Sequence, residues 1–141
     1  MKNSNKYIDT INKIENTRKK NNKNWMDILK VASFDMVDSR LVRKIAQTGR
    51  GVMLSTGMAN LSEIQNAINI CHSENNNNLV LLQCTSLYPA PANLTNLSAM
   101  KTLKQAFGCI VGYSDHTLGD HIACAAVANG AKVIEKHYTF D

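Results

Sequence analysis

Five times between Ile28 and His137 a short apolar run ends in a small polar residue, gives way to a helical stretch, and returns through Gly or Asn. The runs are Ile28-Leu29-Lys30-Val31, Val52-Met53-Leu54, Leu79-Val80-Leu81-Leu82, Cys109-Ile110-Val111 and Val133-Ile134. Their end markers Ser33, Ser55, Ser86, Ser114 and Glu135 lie 22, 31, 28 and 21 residues apart, the length of one βα unit. Strands that are apolar throughout and alternate with helices predict a parallel sheet covered by helices, an α/β fold. The intervening helices are expected to carry Leu41, Val42, Ile45 and Ala46 up to Gly49, then Leu61, Ile64, Ala67, Ile68 and Cys71. The second should begin at Asn60, with Glu63 completing a capping box. A third is expected over Leu94, Leu97, Met100, Leu103 and Phe107, closing at Gly108, and a fourth from Ile122 to Asn129.

Periodicity alone leaves an open doubly wound sheet and a barrel as alternatives. No GxGxxG or P-loop follows any strand, which argues against a dinucleotide-binding fold. Polar groups at every strand end fit a barrel mouth, where several strands each contribute one side chain. The fourth and fifth strands each end in a histidine, His116 and His137, 21 positions apart. Two imidazoles converging there are the beginning of a divalent-metal site. His72 and His121, on helical stretches without a partner motif, read as ordinary surface residues.

The net charge of +5 belongs to the amino-terminal arm: residues 1–30 hold eight basic and three acidic side chains, and the remainder balances at eight of each. The Asn/Lys-rich segment 1–27 is therefore expected to be a poorly ordered arm, and the neutral body makes nucleic-acid binding the weakest of the functional readings. No run of about 18 apolar residues exists to cross a membrane, and Met1 to Lys6 have no apolar stretch behind them, so a cytoplasmic location is the expectation. Cys84, Cys109 and Cys124 lie in apolar segments and Cys71 stands apart, with no CxxC pair. They read as buried reduced thiols.

Five motifs then stand in one order: Lys30-Val31-Ala32-Ser33-Phe34-Asp35, Leu54-Ser55-Thr56-Gly57-Met58-Ala59, Gln83-Cys84-Thr85-Ser86-Leu87-Tyr88-Pro89-Ala90-Pro91, Gly112-Tyr113-Ser114-Asp115-His116-Thr117-Leu118-Gly119 and Val133-Ile134-Glu135-Lys136-His137-Tyr138-Thr139. In these, from Ile28 to Asp141, the chain resembles the sialic acid synthase family, which makes N-acetylneuraminic, legionaminic and pseudaminic acids. The resemblance implies a TIM (β/α)8 barrel of which residues 28–141 form strands four to eight, a partial barrel ending before the family's antifreeze-like domain. It implies condensation of phosphoenolpyruvate with an N-acetylmannosamine-type sugar, release of phosphate, a divalent metal, usually Mn2+, and a homodimer for the intact enzyme. The alternative is a catalytically silent remnant, and the isolated chain is expected to be inactive because the family's first three strands have no counterpart in it.

Residue by residue, the resemblance assigns His116 and His137 to the metal. It assigns Lys30, Ser33, Ser55, Ser86 and Ser114 to phosphoenolpyruvate, Tyr88 to the sugar, and Asp35 to a catalytic acidic position that is usually Glu. An ammonium and several hydroxyls suit a phosphate and a carboxylate. Asp115 either orients His116 or caps the helix that follows. Glu135 is either catalytic or neutralised by a lysine such as Lys136.

Overall fold

The computed structural model describes residues 8–9, 12–13 and 27–138. Five strands, β1 (Ile28–Val31), β2 (Gly51–Ser55), β3 (Leu79–Cys84), β4 (Ile110–Asp115) and β5 (Ile134–Lys136), alternate with four helices, α1 (Ser39–Ala46), α2 (Leu61–Ser73), α3 (Ala99–Phe107) and α4 (His121–Ala128). Every strand pairs in parallel with its successor, in the order β1-β2-β3-β4-β5. A doubly wound sheet reverses its strand order at a switch point; this one never does.

The curvature shows in a single contact. Laid flat, a sheet of five strands would separate its two edges by about 19 Å, four gaps of roughly 4.8 Å. Lys30 Nζ on β1 nevertheless lies 3.3 Å from Glu135 Oε1 on β5. The sheet is bent into a half-barrel, and these two long side chains span its concave face.

Side chains alternate between two faces along each strand. Val31, Val52, Leu54, Leu79, Leu81, Val111 and Tyr113 point outward and form one core with Leu41, Val42 and Ile45 of α1, Ile64, Ala67, Ile68 and Cys71 of α2, Met100 and Leu103 of α3 and Ala126 of α4. Burying a Leu, Ile or Val contributes about 1.5–3 kcal/mol, so this shared layer holds the helices to the sheet. Tyr113 is fully buried, and its hydroxyl has no hydrogen-bond partner among the described residues. Burial pushes its pKa up to about 12, with the charges of Asp115 and Cys84 adding to the effect.

Helix boundaries follow local chemistry. Asp38 caps α1 by accepting from the backbone of Arg40 and Leu41. Asn60 and Glu63 form the expected capping box on α2. The third helix departs from expectation: residues Ala92–Leu94 make a separate 3-10 turn and α3 begins at Ala99. Asn96 sits in the left-handed region at φ 45°, which no helix continues through, so the apolar spacing from Leu94 onward is split in two. Gly108 ends α3 at φ 67°, a conformation glycine adopts without strain.

The expectation for residues 1–27 falls mostly outside the described residues; of those described, Ile8 is partly buried against the core. Cys71 and Cys84 are buried as free thiols, whereas Cys109 is half-buried and Cys124 exposed. Cys124 lies on α4, where Ala126 is the residue buried against the core and Cys124 faces outward. No described helix is long and apolar enough to cross a membrane.

Candidate active site at the carboxyl ends of the strands

At the carboxyl ends of β1, β3, β4 and β5 lies a pocket lined by Lys30, Tyr88, Ser114, Asp115, His116, Glu135, Lys136 and His137. A roomier cavity opens at the opposite end, lined by Ile28, Val80, Cys109 and Ile110 together with His72. It is mostly apolar, the open floor of the half-barrel, so the chemistry belongs to the first pocket.

His116 and His137 follow β4 and β5, which are neighbours, and their ring centroids lie 5.6 Å apart. Tyr88 stacks on His116 at 4.1 Å and meets His137 edge-on at 5.5 Å. The loop carrying Tyr88 is tied down where Ala90 N–H donates to the His116 carbonyl, 2.8 Å.

The tautomer of His116 follows from its partners. Its Nδ1 lies 2.7 Å from the Thr85 carbonyl oxygen, which only accepts, so Nδ1 carries the proton. Nε2 then presents a lone pair, and Ser114 Oγ donates to it at 3.2 Å. A backbone carbonyl fixing the remote nitrogen is the usual support for a metal-binding imidazole.

Five predicted site residues therefore meet: Lys30, Tyr88, Ser114, His116 and His137. The others do not line the pocket. Ser33 is buried, its Oγ 3.0 Å from Cys84 Sγ. Ser55 is buried with no hydroxyl partner among the described residues. Ser86 and Asp35 are half-buried in the loops after β3 and β1.

Among the described residues the Asp115 carboxylate bonds neither to the His116 ring nor to the start of α4. Its Oδ1 accepts from Thr117 N and Thr117 Oγ1, at 2.9 and 2.8 Å, and its Oδ2 receives Lys136 Nζ at 2.7 Å. The helix cap falls instead at Asp120, whose side chain makes no capping bond. Burial raises the pKa of the Asp115 carboxyl, but the Lys136 ammonium and the two Thr117 donors outweigh it and hold the group below the usual carboxylate range. Glu135 is paired, but with Lys30 across the sheet rather than with its neighbour Lys136. Alternation explains both: successive residues of β5 point to opposite faces, so Glu135 and Lys136 cannot share one partner surface.

Lys136 was not singled out as a site residue. A signal was available: each histidine is preceded by a charge, Asp115 before one and Lys136 before the other, at the same spacing as the histidines themselves.

A profile of the NeuB family matches residues 15–141. The chain belongs to the NeuB family. It is 50% identical over 118 residues to the N,N'-diacetyllegionaminic acid synthase of Campylobacter jejuni, covering 82% of this chain and 35% of that protein. It is 42% identical over 109 residues to the pseudaminic acid synthase of Helicobacter pylori, covering 77% of this chain and 32% of the relative. The chain thus spans about a third of the length of the curated relatives it matches. Among solved structures, the N-acetylneuraminic acid synthetase of Leptospira borgpetersenii in complex with citrate superimposes with a TM-score of 0.79 at 44% identity. That match covers 83% of this NeuB-family chain and 41% of the solved chain.

Proposed function

We propose that this chain supplies the phosphoenolpyruvate- and metal-binding part of a nonulosonic acid synthase, corresponding to strands four to eight of a (β/α)8 barrel. The reaction is condensation of phosphoenolpyruvate with an N-acetylmannosamine-type sugar in the cytoplasm, releasing phosphate, within a homodimer. The observation that carries this reading is the paired imidazoles at 5.6 Å, His116 held through Nδ1 with its Nε2 turned to the Ser114 hydroxyl, beside Lys30 in one pocket.

The donor set fits a divalent ion. Two imidazoles suit a divalent first-row metal, of which the family pattern implies manganese, and the described residues contain no group of three or more His, Cys, Asp or Glu side chains that could hold one. Water and substrate would fill the remaining positions. When bound, the ion supplies Lewis acidity to the sugar aldehyde oxygen. The protein's own groups do the rest. Lys30 offers the positive charge for the phosphate or carboxylate of phosphoenolpyruvate, in competition with Glu135. Ser114 adds a hydroxyl on the same wall, and Ser33, Ser55 and Ser86 are the further hydroxyls the family pattern assigns to this substrate. Tyr88 presents its exposed ring to the sugar, and Asp35 is the acidic group assigned to orient water or a sugar hydroxyl. Carbon–carbon bond formation leaves a cationic centre at the former enol carbon; water adds there, and phosphate departs with the original C–O bond electrons.

The second reading is a catalytically silent copy that keeps the family pattern without the activity. One assay separates the two: phosphate release from phosphoenolpyruvate with N-acetylmannosamine and manganese. Release that needs all three supports the enzyme. Manganese and phosphoenolpyruvate binding without release selects the silent copy, and binding of neither overturns both. Within the enzyme reading, Lys30→Ala is expected to weaken phosphoenolpyruvate binding by about 10- to 100-fold, as for loss of a charge-assisted hydrogen bond of about 1.5–3 kcal/mol. Equilibrium titration of phosphoenolpyruvate measures it, and an unchanged affinity would remove Lys30 from the site.

A further inference from the structure

A cross-strand ion pair, Asp115 with Lys136, immediately precedes the two histidines in the chain. Asp115 and Lys136 are directly opposite in the parallel register of β4 and β5, the last pair of that ladder. Each precedes a histidine, so alternation places the pair on one face and the imidazoles beyond it. Lys136 Nζ donates at 2.7 Å to Asp115 Oδ2 and at 2.8 Å to the Thr117 carbonyl. It therefore grips both residues that flank His116. Asp115 Oδ1 closes the same turn by accepting from Thr117 N and Oγ1.

The two imidazoles differ in their own support. His116 is anchored through Nδ1 to Thr85. Among the described residues the His137 ring touches Tyr88 and His116 and makes no hydrogen bond. It follows a strand of three residues that, among the described residues, pairs with β4 alone. We propose that Lys136 and Asp115 are a positioning pair that sets the separation of His116 and His137, and so the geometry open to a divalent cation. The cation clause rests on the metal reading given above; the spacing clause stands without it.

The informative variant is Asp115→Asn combined with Lys136→Met. Asparagine keeps an oxygen for the two Thr117 donors, and removing both charges leaves no carboxylate buried alone, which the single Lys136→Met would do. Two readouts apply to the full chain, with a urea midpoint to verify folding. The first is a cross-peak between the ring protons of His116 and His137 in metal-free protein by NMR. The second is manganese affinity followed by water-proton relaxation.

The wild type is expected to show the cross-peak and the folded double variant to lose most of it. Manganese affinity is expected to fall about tenfold, the lower range for supporting groups around metal ligands. A folded double variant with cross-peak and affinity both unchanged overturns the inference. A wild type that binds no manganese while the cross-peak still depends on the pair overturns the metal reading and leaves the positioning role supported. A double variant that does not fold is replaced by Thr117→Ala and Lys136→Gln separately, each judged by the same cross-peak.

Discussion

His116→Ala is expected to lower manganese affinity by more than about 100-fold, beyond the 10–100-fold typical of supporting groups, because it removes a first ligand rather than a partner of one. The site offers two imidazoles, so deleting one leaves His137 as the single imidazole among the pocket residues. The loss is compounded by preorganisation. Thr85 fixes the proton on Nδ1 in advance, so binding at Nε2 requires no change of tautomer and only rotation of the Ser114 hydroxyl out of the way. In the variant the Thr85 carbonyl keeps only the Leu87 N–H, 2.9 Å away, and Tyr88 loses the ring on which it stacks at 4.1 Å. His121→Ala is the control, since His121 begins α4 and does not line the pocket. Manganese titrations giving equal affinity for the two variants would remove the site from the β4 loop.

Gly112→Ala is expected to cost about 3 kcal/mol or more in folding free energy, at the upper end of overpacking penalties. A Cβ at residue 112 would stand 2.4 Å from the Val133 carbonyl oxygen, 2.8 Å from Leu82 Cδ2 and 2.9 Å from Val133 Cβ. The leucine methyl ends a flexible side chain; the backbone oxygen does not. That oxygen also accepts from Tyr113 N at 2.9 Å, one of the bonds holding β5 to β4. Relief of the clash therefore moves the strand that carries Glu135, Lys136 and His137, and manganese affinity should fall with stability. Gly108→Ala makes the contrast. Nothing lies within 4 Å of its Cβ position, but φ is 67°, so only backbone strain of about 1–2 kcal/mol is expected. Urea unfolding of both variants measures the difference, and equal losses would mean that β5 adapts freely.

The strands were legible because each is apolar over its whole length and stops at a polar residue, as Val52 to Leu54 stop at Ser55. Buried parallel strands leave that mark in any sequence. The split before α3 was not legible, since a single left-handed residue, Asn96, interrupts spacing that is otherwise helical from Leu94 to Phe107. In the site, the histidines stood out as strand-end chemistry and Lys30 through the family pattern, and the fold brings them together. The pairings did not stand out. Lys30 with Glu135 depends on how strongly the sheet curls, and Asp115 with Lys136 on the register of β4 against β5. Both are properties of the assembled sheet, and a lysine beside a glutamate in sequence points to the wrong partner.

Tyr113 gives the molecule an alkaline ceiling. Its phenol loses a proton at about 12 in the folded chain, against 10 for an unburied tyrosine. The neutral ring is the form the core accepts, so its stabilisation is complete below pH 10 and drains away as the pH rises through about 12. The phenolate absorbance of this residue should consequently appear together with loss of helical circular dichroism, as one event in an alkaline titration. Tyr113→Phe removes both the ionisable proton and a hydroxyl that has no partner among the described residues, and is expected to raise stability at neutral pH by about 1 kcal/mol while shifting alkaline unfolding upward. Such a variant would turn the least conspicuous residue of the fourth strand into the simplest handle for hardening the fold.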